Sequence, residues 1–470
     1  MSDALRDGAA GKSARVAESV RAMIHDGRLR EGDALPSTRA LAAELGVARG
    51  TVVTAFEQLD GEGYITTRHG AAARVAATLE RRPAAHGGAV RPGAGAAAAD
   101  AAAGASAPEL DLTPGTPSVT ALSARDWRGA WRHVAAQPLD DAYPPREGEP
   151  ALRAEIAKQL AFSRGFAPEA ERVVIAAGTA EALSLIAEAL GPGIRIAIEN
   201  PGYLGGRTAL ASAGARLVPI GLDRHGMLLE ELRAAHEAAA LAAVLVTPSH
   251  QYPLGAVMPV ARRRELLEWA ALEGVLVIED DYDSEFRHHG SPLPALAAID
   301  TAGVVVHVGS FSKPLNPQLR CGYLVLPGAG GGAEAAIRRA RTARGAAVAT
   351  PMQQAIAWLM ATGALRRHLG RARRDYAHKR AMVADAFAAV PGVGVSALDG
   401  GLHAVVQWAG ERGEAEVLAG IRRRGVVVAG LSAYVVPGSG LEVRGLVLGY
   451  GAVSATQLAR ALEAIVAELG

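Results

Sequence analysis

The sequence holds a single cysteine, Cys321, in 470 residues. An internal disulfide is therefore excluded, and a reducing compartment fits. Long apolar runs are missing too. None approaches the ~20 residues of a membrane span, and Met1-Ser2-Asp3-Ala4 lacks the basic start and apolar stretch of a secretory signal. A cytoplasmic protein with no membrane partner is expected. Charge of one sign is also lacking, since Lys+Arg 49 against Asp+Glu 48 leave a net charge of +1. The first 78 residues carry ten Lys/Arg and ten Asp/Glu. That segment lacks the basic footprint usual for nucleic-acid binders, so any such reading must rest on pattern. No internal repeat stands out, and no metal site is expected.

What is present is bulk for a large core. Hydrophobic residues make up 50% of the chain, and the length suits two or three domains. Residues 13–27 have helical spacing, with Val16, Val20, Met23 and Ile24 on one face, Ser13 as cap and Gly27 as stop. Gly32-Asp33 and Pro36 make a turn. Ser37 caps a short helix carrying Leu41, Ala42 and Leu45, which Gly46 breaks. A further helix over 49–59 turns Val52, Val53, Phe56 and Leu59 inward. Tyr64-Ile65-Thr66-Thr67 and Ala73-Arg74-Val75-Ala76 predict a hairpin around His69-Gly70. Together these elements compose a winged helix-turn-helix over residues 1–78.

Residues 79–108 are nearly all Ala, Gly, Pro and Arg. Such a stretch buries too little to offset ordering entropy and reads as a flexible linker. From 109 onward, short apolar strands alternate with amphipathic helices. Strands are expected at Val173–Ala176, Ile194–Ile198, Arg216–Pro219, Ala243–Thr247, Val275–Ile278, Val304–His307 and Gly322–Leu326. Their continuous Val/Ile/Leu runs suit a sheet covered on both faces. Intervening helices make this an α/β fold. Residues 345–470 read as a smaller α+β lobe.

Leu35-Pro36-Ser37-Thr38-Arg39-Ala40-Leu41-Ala42 and Leu45-Gly46-Val47-Ala48-Arg49-Gly50-Thr51-Val52 resemble the GntR family of winged-helix regulators. The resemblance implies that the second helix of the motif enters the major groove of double-stranded DNA by its N-terminus. Arg49, Thr51 and Thr54 lie there, Arg39 lies on the helix before, and Arg68 and Arg74 lie in the wing. Ala48 stands where the family usually has Ser or Thr.

Residues 109–470 resemble fold-type I aminotransferases, which implies pyridoxal 5'-phosphate (PLP). In Gly309-Ser310-Phe311-Ser312-Lys313, Lys313 would supply the amine that bonds the cofactor. Ser310, Ser312 and Arg320 would hold its phosphate, with Gly178 and Thr179 at a helix N-terminus. Asp280 would pair with the pyridine nitrogen, Tyr282 with the ring hydroxyl, and Tyr203 would stack on the ring. Tyr143 matches a tyrosine that reaches the phosphate of a neighbouring subunit. Arg444 matches the carboxylate-binding arginine of aminotransferases and would hold the carboxylate of an amino-acid effector, with Arg207 assisting.

Both halves together resemble the MocR/GabR group of regulators. Thr247-Pro248-Ser249-His250-Gln251-Tyr252-Pro253-Leu254-Gly255 and Glu279-Asp280-Asp281-Tyr282-Asp283-Ser284-Glu285-Phe286 are characteristic of it. Tyr252 stands where aminotransferases carry an asparagine. The resemblance implies a head-to-tail homodimer in which PLP on Lys313 senses an amine or amino-acid effector, or the PLP level, and alters operator binding. A true aminotransferase with an accessory N-terminal module is the alternative.

Overall fold

The computed structural model describes residues 11–67, 71–76, 110–138, 141–288, 294–328 and 331–470. Arg68 and the expected linker over 79–108 lie outside the described residues. The chain divides into two compact units, Met1–Ala103 and Gly104–Gly470.

In the first unit, helices Lys12–His25, Thr38–Leu45 and Arg49–Gly61 are followed by the antiparallel pair Ile65–Thr66 and Arg74–Val75. Ser37 caps the second helix by accepting from the Ala40 N–H, and Gly46 ends it in the left-handed region at φ 64°. Val16, Val20, Leu41, Val52, Phe56, Leu59, Ile65 and Val75 form one buried cluster. The expected winged helix-turn-helix is thus the observed one, with two-residue wing strands shorter than the four-residue strands expected.

The second unit is built on a seven-stranded sheet. Its order is Val173–Ala176, Gly322–Val325, Val305–Ser310, Leu276–Asp281, Ala243–Val246, Arg195–Glu199 and Arg216–Ile220. Gly322–Val325 runs antiparallel to both neighbours. Every other pairing is parallel. Alternate residues feed opposite faces: Ile278 joins one apolar cluster and Val277 another. Burial on both faces is what the unbroken Val/Ile runs require.

Two strands run further than their apolar runs indicate. Leu276–Asp281 continues through Glu279, Asp280 and Asp281, and Val305–Ser310 continues past His307. Buried partners permit this. His307 Nδ1 lies 2.9 Å from Glu279 Oε2, Glu279 accepts from the Leu296 N–H at 2.7 Å, and Arg164 Nη2 donates to Asp281 at 3.0 Å.

The small lobe carries an antiparallel sheet in the order Val393–Ser396, His403–Trp408, Leu446–Gly449, Ala429–Gly430. Helices Glu414–Arg423 and Ala455–Leu469 accompany it. It also takes the first described residues of the unit. Leu110–Asp111 pairs in parallel with Val426–Val427, and the Gly449 N–H donates to the Leu112 carbonyl at 2.7 Å.

Candidate cofactor site

The strands Val173–Ala176, Arg195–Glu199, Ala243–Val246, Leu276–Asp281 and Val305–Ser310 end at the same edge of the sheet. That is where open α/β sheets place ligands. A cavity of about 230 Å³ opens there. Thr179, Tyr203, Asp280, Tyr282, Ser310, Ser312, Lys313 and Arg320 all line it. The structure thus brings together eight of the residues expected around a cofactor. Gly178 is adjacent, for a Cβ there would sit 3.8 Å from the Arg320 guanidinium. Arg320 itself has φ 46°, a costly conformation for a non-glycine residue, held here at the cavity wall.

Burial shapes the chemistry of these groups. It lowers the Lys313 pKa, against the pull of Asp283 and Asp280. It lifts Asp280 to about 8, helped by the neighbouring Asp281, Asp283 and Glu199 carboxylates. Asp280 Oδ1 is buried with no hydrogen-bond partner among the described residues. Burial also raises Tyr203 to about 12 and Tyr282 well above an ordinary phenol. Lys313 Nζ donates to the Gly115 carbonyl.

Besides Gly178, three expected residues stand outside the cavity-lining set. Tyr143 is 99% exposed. Arg444 donates to the Arg412 carbonyl at 3.2 Å and lies over the Trp408 ring. Arg207 donates to the Val435 carbonyl at 2.7 Å. The Ala177 N–H, at the mouth of the expected phosphate cradle, is taken by Glu181 at 3.2 Å.

In the first unit, Arg39, Arg49 and Thr54 are exposed and Thr51 is half-buried. Arg49 Nε donates to Thr38 Oγ1 at 3.3 Å, joining the starts of two helices. The Thr54 hydroxyl is spent on the Gly50 carbonyl at 3.1 Å, and Arg74 donates to the Gly32 carbonyl at 2.7 Å.

Residues 12–75 match the gntR family of bacterial regulatory proteins, and residues 109–465 match aminotransferase class I and II. The chain belongs to the gntR family, in its MocR-type branch with an aminotransferase domain. It is 36% identical over 437 residues to the HTH-type pyridoxine biosynthesis transcriptional regulator PdxR of Corynebacterium glutamicum, covering 93% of this chain and 91% of that one. It is 35% identical to the probable rhizopine catabolism regulatory protein MocR of Rhizobium meliloti, over 77% of this chain and 74% of that one. Among solved structures, a Pyrococcus horikoshii kynurenine aminotransferase superposes with a TM-score of 0.67 at 25% identity, covering 77% of this chain and 91% of that one. The gntR domain implies DNA binding. Among the described residues no helix is long and apolar enough to cross a membrane.

PLP is the cofactor of this aminotransferase class, and the residues present fit it. An amine at Lys313, a guanidinium beside a helix N-terminus and a buried carboxyl at Asp280, whose Oδ1 has no partner among the described residues, make up the donor set. The space far exceeds the ~30 Å³ share of one water.

Sequence reasoning did not assign roles to Pro114, Gly115, His250, Asp283, His403 or Tyr434. The first two and His403 line the cavity. His250 and Asp283 fall inside quoted motifs, which signalled their neighbourhood but not their task. Tyr252 also lines the cavity, and its hydroxyl donates to that of Tyr434 at 3.2 Å.

Proposed function

We propose that this protein is a DNA-binding transcriptional regulator whose operator binding depends on PLP held at Lys313. The observation that carries the reading is one cavity framed by eight cofactor-type residues, on a chain that also carries a winged helix-turn-helix. Bound there, PLP supplies an aldehyde that bonds amines reversibly and a ring that acts as an electron sink.

The chain's own groups do the rest. Lys313 offers an amine whose charge burial disfavours, so it is readied as a nucleophile. Arg320 and the N–H groups at the start of the Thr179–Leu190 helix bind phosphate. Asp280 would hold the pyridine proton, Tyr203 would cover the ring face and Tyr282 would meet the ring hydroxyl. A homodimer completes the site, with the exposed Tyr143 reaching the neighbouring copy. The signal is an amine effector or PLP itself; the pyridoxine biosynthesis named for the relative at 36% identity supports the latter. A ligand acts through its differential affinity for two states.

Footprinting on the intergenic DNA beside the gene tests this, with cofactor-free and PLP-loaded protein at one salt concentration. A protected site that changes with PLP is expected. No protection in either form, with keto acid accumulating on addition of amino acids, would replace the regulator by an aminotransferase.

A further inference from the structure

His250 Nδ1 lies 2.8 Å from Asp283 Oδ2 and 3.0 Å from the Tyr282 hydroxyl. His250 is 4% exposed and Asp283 3%. The His250 and Tyr282 rings stack with 23° between their planes. One nitrogen therefore serves two oxygens. A carboxylate only accepts hydrogen bonds, so the Nδ1 atom carries the hydrogen. Nε2 is buried without a partner among the described residues. That suits the same tautomer, because a bare lone pair is better tolerated in the interior than an orphaned N–H. With Nδ1–H directed at Asp283 and Tyr282 together, the tyrosine oxygen accepts. Its own hydrogen is left to point elsewhere, and the cavity that Tyr282 lines is beside it.

We propose that His250 and Asp283 form a positioning pair that aims the Tyr282 hydroxyl hydrogen into the Lys313 cavity, toward an anionic ring oxygen of the cofactor. This rests on the reading that Lys313 holds PLP. Asp283 already stands within reach of the Tyr282 hydroxyl and helps to raise its pKa. With His250 in place its Oδ2 is occupied by Nδ1–H; without His250 it is free to draw the tyrosine hydrogen, so the cavity loses its donor.

The small lobe holds the pair in place. A Cβ on Gly401 would collide with Asp283 and come within 3.0 Å of the His250 ring, and its φ of +71° suits glycine. The His403 ring lies 5.2 Å from that of His250. Burial and His250 push His403 down to about 4, so it faces the pair uncharged at neutral pH. The other ionisable groups facing His250 are Arg164, Arg287 and Asp399, around a cavity of about 20 Å³, and His288. Asp280 and Lys313 line the main cavity. Arginine and lysine cannot accept the Nδ1 hydrogen, and Asp283 is the carboxylate in contact with it.

The sign of the effect follows. A hydrogen bond donated to an anionic oxygen stabilises the deprotonated form and lowers its pKa. Losing that donor raises it. Wild type, His250→Leu and Asp283→Asn would each be loaded with PLP, reduced with borohydride, and mapped for label on Lys313. Parallel unreduced samples would be titrated by visible absorbance across the neutral range, and cofactor-free melting would be recorded. We expect label on Lys313 in all three. The apparent pKa should rise by about one unit, a tenfold effect, in His250→Leu. Asp283→Asn, whose amide oxygen still accepts from Nδ1–H, should shift it less than half as far. In a Tyr282→Phe background, removing His250 should move it by under about 0.3 unit. His250→Ala carries the same expectation if the leucine variant does not fold. A wild-type pKa in labelled His250→Leu, with only the melting temperature changed, would overturn the proposal. Absence of label on wild-type Lys313 would instead overturn the reading beneath it.

Discussion

In the aminotransferase domain, eight expected residues from separate strands and loops surround one cavity. In the N-terminal unit, Arg39, Arg49 and Thr54 are exposed to solvent. A small molecule must be wrapped, so its partners are gathered and desolvated before it arrives. The shifted acidities of Asp280, Tyr203 and Lys313 record that burial. A DNA duplex brings its own rigid array of phosphates and base edges. The protein need only present donors on a stable helix, and desolvation waits for the complex.

The contrast can be tested hardest at Lys313. Lys313→Ala should abolish borohydride-fixed PLP completely while the protein still melts cooperatively; label retained on another lysine would show that the cavity is not the site of attachment. Next comes Asp280. Asp280→Asn should weaken PLP binding by about 100-fold, the value of a lost charge-assisted bond of ~2–3 kcal/mol, measured by fluorescence titration. The same change bears on cofactor-free stability. Asp280 is held near 8 when folded, against an ordinary value of 3.8. The folded state therefore binds the extra proton between those values, and stability falls as pH rises from about 4 to about 8. Asp280→Asn removes that penalty, so its cofactor-free melting temperature at pH 8 should exceed wild type, with the difference closing toward pH 4.

In the N-terminal unit, Arg49→Ala should weaken operator binding by about 10-fold, near the lower end expected for a base contact. Binding shift assays at one salt concentration check it. Thr54→Val should change affinity by less than about 2-fold, because the hydroxyl already bonds Gly50. The smallest effect belongs to Arg444→Ala. Its side chain rests on Trp408 and the Arg412 carbonyl, so PLP affinity should stay within about 2-fold. A larger loss would give that arginine a contact with the cofactor, a role separate from the expected one toward an effector's carboxylate.

Much of this was legible in the chain. Gly46 and Ser37 marked the helix ends because left-handed backbone and side-chain capping demand particular residues. The seven strands were legible from apolar runs that only a doubly covered sheet can bury. Their far ends were not, since Glu279, Asp281 and His307 look like loop residues until their buried partners are seen. The same limit hid His250, Asp283 and His403. Each gains its role from a contact between segments far apart in sequence, and the His250–His403 pair spans 153 positions. At Arg444 a matching position in a motif told nothing of the side chain's direction, which the Arg412 carbonyl and the Trp408 ring decide.

Leu110–Asp111 begins the described part of the domain as a strand on the small lobe, and Gly115, four residues on, receives the Lys313 hydrogen bond. This opening segment therefore joins both parts of the domain: it pairs with the small lobe, shares an apolar cluster with Val173, Ile175 and Val325 of the seven-stranded sheet, and reaches the Lys313 amine. A displacement of the small lobe would thus pull on the very carbonyl that receives that amine, so lobe motion and the freedom of Lys313 are mechanically a single variable.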